Sequence, residues 1–145
     1  MKSNVILLVE DNPDDAELAM RAFAKSGAKH DLVLVKDGVE ALDYLLGTGP
    51  HTANPPPAPD VVLLDLKLPR VDGLEVLRRL RAAQRTKHLP VVVLTSSERE
   101  QDIVSSYDLG ANSYVRKPVD FGQFAEAAQQ LGAYWLTLNQ TARGS

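Results

Sequence analysis

The chain contains no cysteine, which excludes disulfide bridges, thiolate catalysis and Cys-ligated zinc and fits a reducing compartment. It also lacks any long apolar run. Val5 to Val9, Val61 to Leu64 and Val91 to Leu94 are the longest, far below the ~20 residues that a membrane-spanning helix needs. Met1 leads directly into a strand-like run, with no basic and then apolar leader, so a cytoplasmic location without membrane association is expected. Lys and Arg number 16 against 19 Asp and Glu, for a formal charge of -3. They are dispersed along the chain and form no basic stripe of the kind that neutralises phosphates, so no nucleic-acid partner is expected. No glycine-rich loop follows the first apolar run, which argues against dinucleotide binding. His30, His51 and His88 lack metal-site spacing and read as surface residues.

What remains is the composition of an ordinary globular protein: 145 residues, 44% hydrophobic and 24% charged, enough for one core. A single domain over 1–145 is expected, with its core at about 4–139 and no room for an output domain. Five short runs rich in Val, Leu and Ile read as buried strands: Val5 to Val9, Leu32 to Val35, Val61 to Leu64, Val91 to Leu94 and Ser113 to Val115. Helical patterns separate and follow them, giving strand and helix five times over.

The first helix starts at Asn12, a cap, with Pro13 at its first position and Asp14, Asp15 and Glu17 at its positive end. Ala16, Ala19, Met20 and Phe23 share a face, and Gly27 closes it. The second runs from about Val39 to Gly47 on Ala41, Leu42, Leu45 and Leu46. The third carries Leu74, Leu77, Leu80 and Arg81 and ends near Gln84. The fourth spans about Arg99 to Leu109, with Ile103, Val104 and Tyr107 as its inner stripe and Gly110 as its cap. In the last, Phe121, Phe124, Ala128, Leu131, Trp135 and Leu138 sustain one apolar stripe over several turns. Core packing with a covered helix end is one reading of that stripe, and service of part of it to a partner or a dimer seam is the alternative. The segment Thr48 to Asp60 holds Pro50, Pro55, Pro56, Pro57 and Pro59, which predicts an extended loop, neither helix nor inner strand.

A parallel sheet presents all strand C-termini on one edge, where ligands bind. There the sequence places Glu10 and Asp11, Asp65, Thr95 and Ser96, and Lys117 followed by Pro118. Any one of these is unremarkable, since Asp after a strand commonly caps a helix. Together they supply three carboxylates, a hydroxyl and an ammonium. Carboxylates so close keep their charge at neutral pH only around a cation, and a hard ion with oxygen ligands, Mg2+ or Mn2+, fits. Such an ion suits phosphoryl transfer, for which Asp is a competent acceptor.

The pieces ILLVEDNPDD, VVLLDLKLPRVDG, VVVLTSS and YVRKPVD resemble the receiver domains of two-component response regulators over nearly the whole chain. The resemblance implies an α/β fold, a flavodoxin-like (βα)5 doubly wound parallel five-stranded sheet. It implies that Asp65 is the phosphoacceptor, that Glu10 and Asp11 hold Mg2+ (or Mn2+) with Asp65 and the backbone carbonyl of Lys67, and that Thr95 and Lys117 contact the phosphoryl group. Thr95 and Tyr114 would be the switch pair, and the Lys117 to Pro118 peptide would be cis. The expected protein is a switch with no enzyme activity beyond its own phosphorylation and dephosphorylation. YDLGANSYVRKPVDFGQF with YWLT, and the long proline-rich loop, are similar to small receivers that serve bacterial phytochromes. This implies a histidine kinase partner of that kind, and a homodimer through the fourth and fifth helices and the fifth strand.

Two positions depart from the common receiver pattern: Lys67 stands where an amide is frequent, and Ser97 where a carboxylate or amide often sits. Both flank the path of a hydrolytic water, so a long-lived phosphorylated state is expected, to be checked by the autodephosphorylation rate of Lys67→Asn. A phosphohydrolase using the same aspartyl phosphate would carry an acid at Lys67. A docking module that had lost phosphorylation would lack one of Glu10, Asp11, Asp65, Thr95 and Lys117, and all are present.

Overall fold

The computed structural model describes residues 5–26, 31–95 and 100–116. Five parallel strands, β1 (Val5–Val9), β2 (Asp31–Val35), β3 (Val61–Leu64), β4 (Val91–Thr95) and β5 (Ser113–Arg116), form one sheet in the order β2-β1-β3-β4-β5. The helices are α1 (Pro13–Ser26), α2 (Gly38–Leu46), α3 (Gly73–Ala82) and α4 (Glu100–Asp108). This is the doubly wound order that the resemblance implied. Gly27, His30 and the expected fifth helix, with Trp135, lie outside the described residues.

The unbroken apolar runs follow from burial of both sheet faces. Side chains alternate across the pleat, so Leu7, Val9, Val62, Leu64, Val91 and Val93 point to one side. There they meet Ala41, Leu42 and Leu45 of α2 and Val76, Leu77 and Leu80 of α3. Ile6, Leu8, Val61, Leu63, Val92 and Leu94 point to the other side, against Ala16 and Ala19 of α1. The registers Val9↔Leu64 and Leu64↔Val93 align the carboxyl ends of the three central strands.

Three expectations need correction. The proline-rich segment is not wholly extended, because Gly49–His51 forms a 3-10 turn. Pro50 sits in its first turn, where no amide hydrogen is needed, and the His51 amide closes the turn on the Thr48 carbonyl at 3.0 Å. On α1, Met20 is exposed beside the buried Ala16 and Ala19. On α4, Val104 and Tyr107 are each 50% exposed, and Ser106 is the buried residue. The Ser106 hydroxyl donates to the Asp102 carbonyl at 2.7 Å, so a small polar side chain is buried with its hydrogen bond made inside the helix. The inner face of α4 is therefore rotated away from the apolar stripe.

Candidate functional site

Register brings the acidic residues together. Glu10 and Asp65 each follow a central strand, and those strands are hydrogen-bonded neighbours. The Asp65 amide donates to the Val9 carbonyl at 3.1 Å, and the Glu10 amide to the Val35 carbonyl at 3.0 Å, so both backbones remain in the sheet while the side chains reach its edge. Glu10 and Asp65 are buried and Asp11 is exposed. One carboxylate oxygen from each of Glu10, Asp11 and Asp65 lies within 4.8 Å of the others.

Local hydrogen bonds set these side chains. A Glu10 Oε2 accepts from the Asn12 amide at 3.2 Å, while Asn12 Oδ1 caps α1 by accepting from the amides of Asp14 and Asp15 at 2.9 and 3.1 Å. Asp65 Oδ1 accepts from the Lys67 amide at 3.2 Å. The donor set is all carboxylate oxygen, with one member open to water. Such a set suits a hard divalent cation that retains several water ligands, and the residues fit Mg2+ or Mn2+. Glu10 and Asp11 also line a groove of about 650 Å3 running along α1 past Pro13, Ala16 and Met20.

The loop after Asp65 is wedged between two helix starts. Leu66 and Leu68 are buried, and the Gly73 amide donates to the Leu66 carbonyl at 2.8 Å. A Cβ on Gly73 would lie 2.3 Å from the Asp65 carbonyl oxygen, and one on Gly38 would lie 1.9 Å from that of Val71. Only glycine permits these approaches. Asp72 caps α3 by accepting from the Glu75 amide at 3.0 Å. Asp37 caps α2, accepting from the Glu40 amide at 2.8 Å, and pairs with Arg70 at 3.4 Å. Burial raises the pKa of Asp37, but the backbone hydrogen bond from Glu40 and the charge of Arg70 outweigh it, leaving the carboxyl below its ordinary value.

Of the residues singled out in the sequence, Glu10, Asp11 and Asp65 come together and Lys67 adjoins Asp65. Thr95 ends β4 on the same edge of the sheet. Tyr114 is half-buried on β5, paired with Val93 and packed against the core. Lys117, Pro118, Ser96 and Ser97 lie outside the described residues. Sequence reasoning missed Asp37 and Arg70. An Asp-Gly pair opening a helix pattern signals the cap at Asp37, whereas no signal marks Arg70, whose role depends on a residue far away in the chain.

Comparison with known proteins gives a consistent picture. The profile of the response regulator receiver domain matches residues 6–129. The probable methanogenesis regulatory protein FilR2 of Methanothrix harundinacea is 41% identical, over 94% of this chain and 86% of its own. Response regulator Rcp1 of Synechocystis sp. is 37% identical, over 91% and 88%. Among solved structures, the phosphorylated cyanobacterial phytochrome response regulator RcpA aligns with a TM-score of 0.87 at 38% identity, over 97% of this chain and 99% of its own. The Mn2+-bound form of Rcp1 aligns at 0.84 and 36%, over 95% and 98%. The bacteriophytochrome response regulator AtBRR aligns at 0.77 and 52%, over 96% and 99%.

Proposed function

The chain belongs to the response regulator receiver domains of two-component signalling, and on that premise we propose that Asp65 is its phosphoacceptor, served by Mg2+ held at Glu10, Asp11, Asp65 and the backbone carbonyl of Lys67. The observation that carries this reading is the convergence of three carboxylates within 4.8 Å at the carboxyl edge of the sheet. A carboxylate cluster is costly without a cation. With one it would be an entry site for a phosphoryl group, because the ion would neutralise charge on the equatorial oxygens.

In the reaction, an Asp65 Oδ attacks phosphorus and the P–N bond of a phosphohistidine breaks, its electron pair returning to the imidazole. Glu10 and Asp11 supply negative charge that fixes the cation and take no part in bond making. Thr95 and Lys117 are assigned the phosphoryl oxygens, and Thr95 with Tyr114 the response that alters the α4–β5 surface. That the chain catalyses only its own phosphorylation and dephosphorylation follows from the same assignment. Residues 4–139 act as one receiver unit.

The donor is a histidine kinase, and we assign it to the bacterial phytochromes because RcpA and AtBRR carry that pairing in their names. With a kinase of that kind as donor, the chain is assigned to the cytoplasm. No helix among the described residues is long and apolar enough to cross a membrane. The half-exposed Val104 and Tyr107 support a homodimer seam on α4, β5 and the fifth helix.

The test is incubation with acetyl phosphate and Mg2+, followed by mass spectrometry. Wild type is expected to gain one phosphoryl group, and Asp65→Asn and EDTA-treated wild type none. A wild type that stays unmodified would overturn the assignment.

A further inference from the structure

The loop that carries Lys67 is fastened to α2 by a contact that the receiver chemistry itself does not require. Arg70 stands at φ +70°, a left-handed conformation that Gly and Asn adopt readily and that a long side chain adopts at a cost. That conformation sends its guanidinium back to Asp37, 33 residues away in sequence, at 3.4 Å. Asp37 is held firmly, since its other oxygen accepts from the Glu40 amide. The neighbouring Pro69 carbonyl accepts from the amides of Gly38 at 3.4 Å and Val71 at 2.8 Å. One end of the Lys67–Val71 loop is thereby tied to Asp65, through the Lys67 amide, and the other to the start of α2.

We propose that the Asp37–Arg70 pair is a positioning clamp for the metal site: it holds the β3–α3 loop so that the Lys67 carbonyl faces the Glu10, Asp11 and Asp65 cluster. Neither residue belongs to the candidate ligand group of Glu10, Asp11 and Asp65. The left-handed backbone at Arg70 is the strain accepted for this placement, as strained residues at functional sites generally are. The proposal rests on the metal-site reading above and adds residues to it.

Its test separates metal affinity from fold stability. Arg70→Gly removes the ion pair and also relieves the backbone, so the folded state should be as stable as wild type or more so. Arg70→Asn removes the charge but tolerates φ above zero, and Arg70→Lys keeps the charge. Mn2+ affinity is measured by calorimetry, and the Mg2+ dependence of phosphorylation by acetyl phosphate on the same proteins. For a pair half open to solvent, the dissociation constant and the half-saturating Mg2+ should rise about threefold to fivefold in both Gly and Asn variants. The rate at saturating Mg2+ should stay within about twofold, and Lys should fall between these variants and wild type.

If all three variants bind metal as wild type does, the clamp is overturned and the metal site stands. Weakening in Gly alone also overturns it, because backbone freedom rather than the ion pair would then be responsible. A wild type that binds no metal removes both readings.

Discussion

The two edges of the sheet use charge in opposite ways. At the amino edge, Arg81 at the end of α3 has its guanidinium surrounded by acceptors. It donates to the Gly110 carbonyl at 2.7 and 3.0 Å, to the carbonyls of Thr86 and Lys87 at 3.2 and 3.3 Å, and to Asn112 Oδ1 at 3.3 Å. Asn112 Oδ1 in turn accepts from the Val91 amide at 2.8 Å, so one cation joins α3, the entry to β4 and the α4–β5 turn. Burial pulls its pKa below the ordinary arginine value. Gly110 is required there at φ +97°, with a hypothetical Cβ only 2.7 Å from Arg81 Nε. At the carboxyl edge, three like charges are brought together instead. The first arrangement serves stability, and the second is the one on which the proposed metal site draws.

The contrast can be broken most forcefully at Arg81. Arg81→Leu leaves the partly buried carbonyls of Gly110 and Thr86 without this donor and should cost about 2–3 kcal/mol, a fall in Tm of roughly 5–10 °C. Urea titration gives the first figure, and Mn2+ affinity of the folded variant should be unchanged. A loss of metal binding there would mean that the two edges are coupled.

Asp11→Asn tests the other edge with the opposite sign. In EDTA it should be at least as stable as wild type, because one carboxyl group of the cluster is gone. It should also lose the Mg2+-dependent rise in Tm that ligand linkage gives wild type. Equal stabilisation of both proteins by Mg2+ would contradict the assignment of Asp11.

Asp37→Asn keeps a capping oxygen but loses the charge, and should cost about 0.5–1 kcal/mol at neutral pH. The folded-state pKa of Asp37 is depressed. Its contribution is therefore fully present above the unfolded value and is lost as pH falls through the folded one. Stability curves of wild type and variant should converge in strong acid, and a gap that widens there would show the sign to be wrong.

The smallest effect belongs to Glu75, which receives Arg78 and Arg79 on the exposed face of α3. Hydrogen bonds from Arg78 first, then Arg79, lower its pKa to about 2. Glu75→Gln should barely move the Tm at physiological salt. Any difference should persist down to mildly acid pH and vanish only as pH falls through about 2.

The sheet was legible because a strand buried on both faces must be apolar throughout, as Val61 to Leu64 are. The acid cluster was legible for a related reason, since polar residues that interrupt such runs mark where the strands emerge. The inner face of α4 was not legible: spacing selects Val104 and Tyr107, whereas the structure buries Ser106, and only the neighbouring α3 and β5 decide that. Arg81 was read only as one residue of the third helix, because its acceptors are mostly backbone carbonyls, which have no letter in the sequence. The positive φ of Arg70 left no trace for the same reason.

The proline-rich segment has a practical consequence. It enters β3 from the amino edge, is pinned where Arg85 donates to the Pro56 carbonyl at 2.6 Å and Tyr44 meets the His51 ring edge-on at 5.5 Å, and leaves Ala53 exposed between. Because the chain has no thiol of its own, Ala53→Cys would create a unique attachment point for a dye. The probe would ride on this pinned strap at the far end of the molecule, able to report assembly while leaving the carboxyl edge undisturbed.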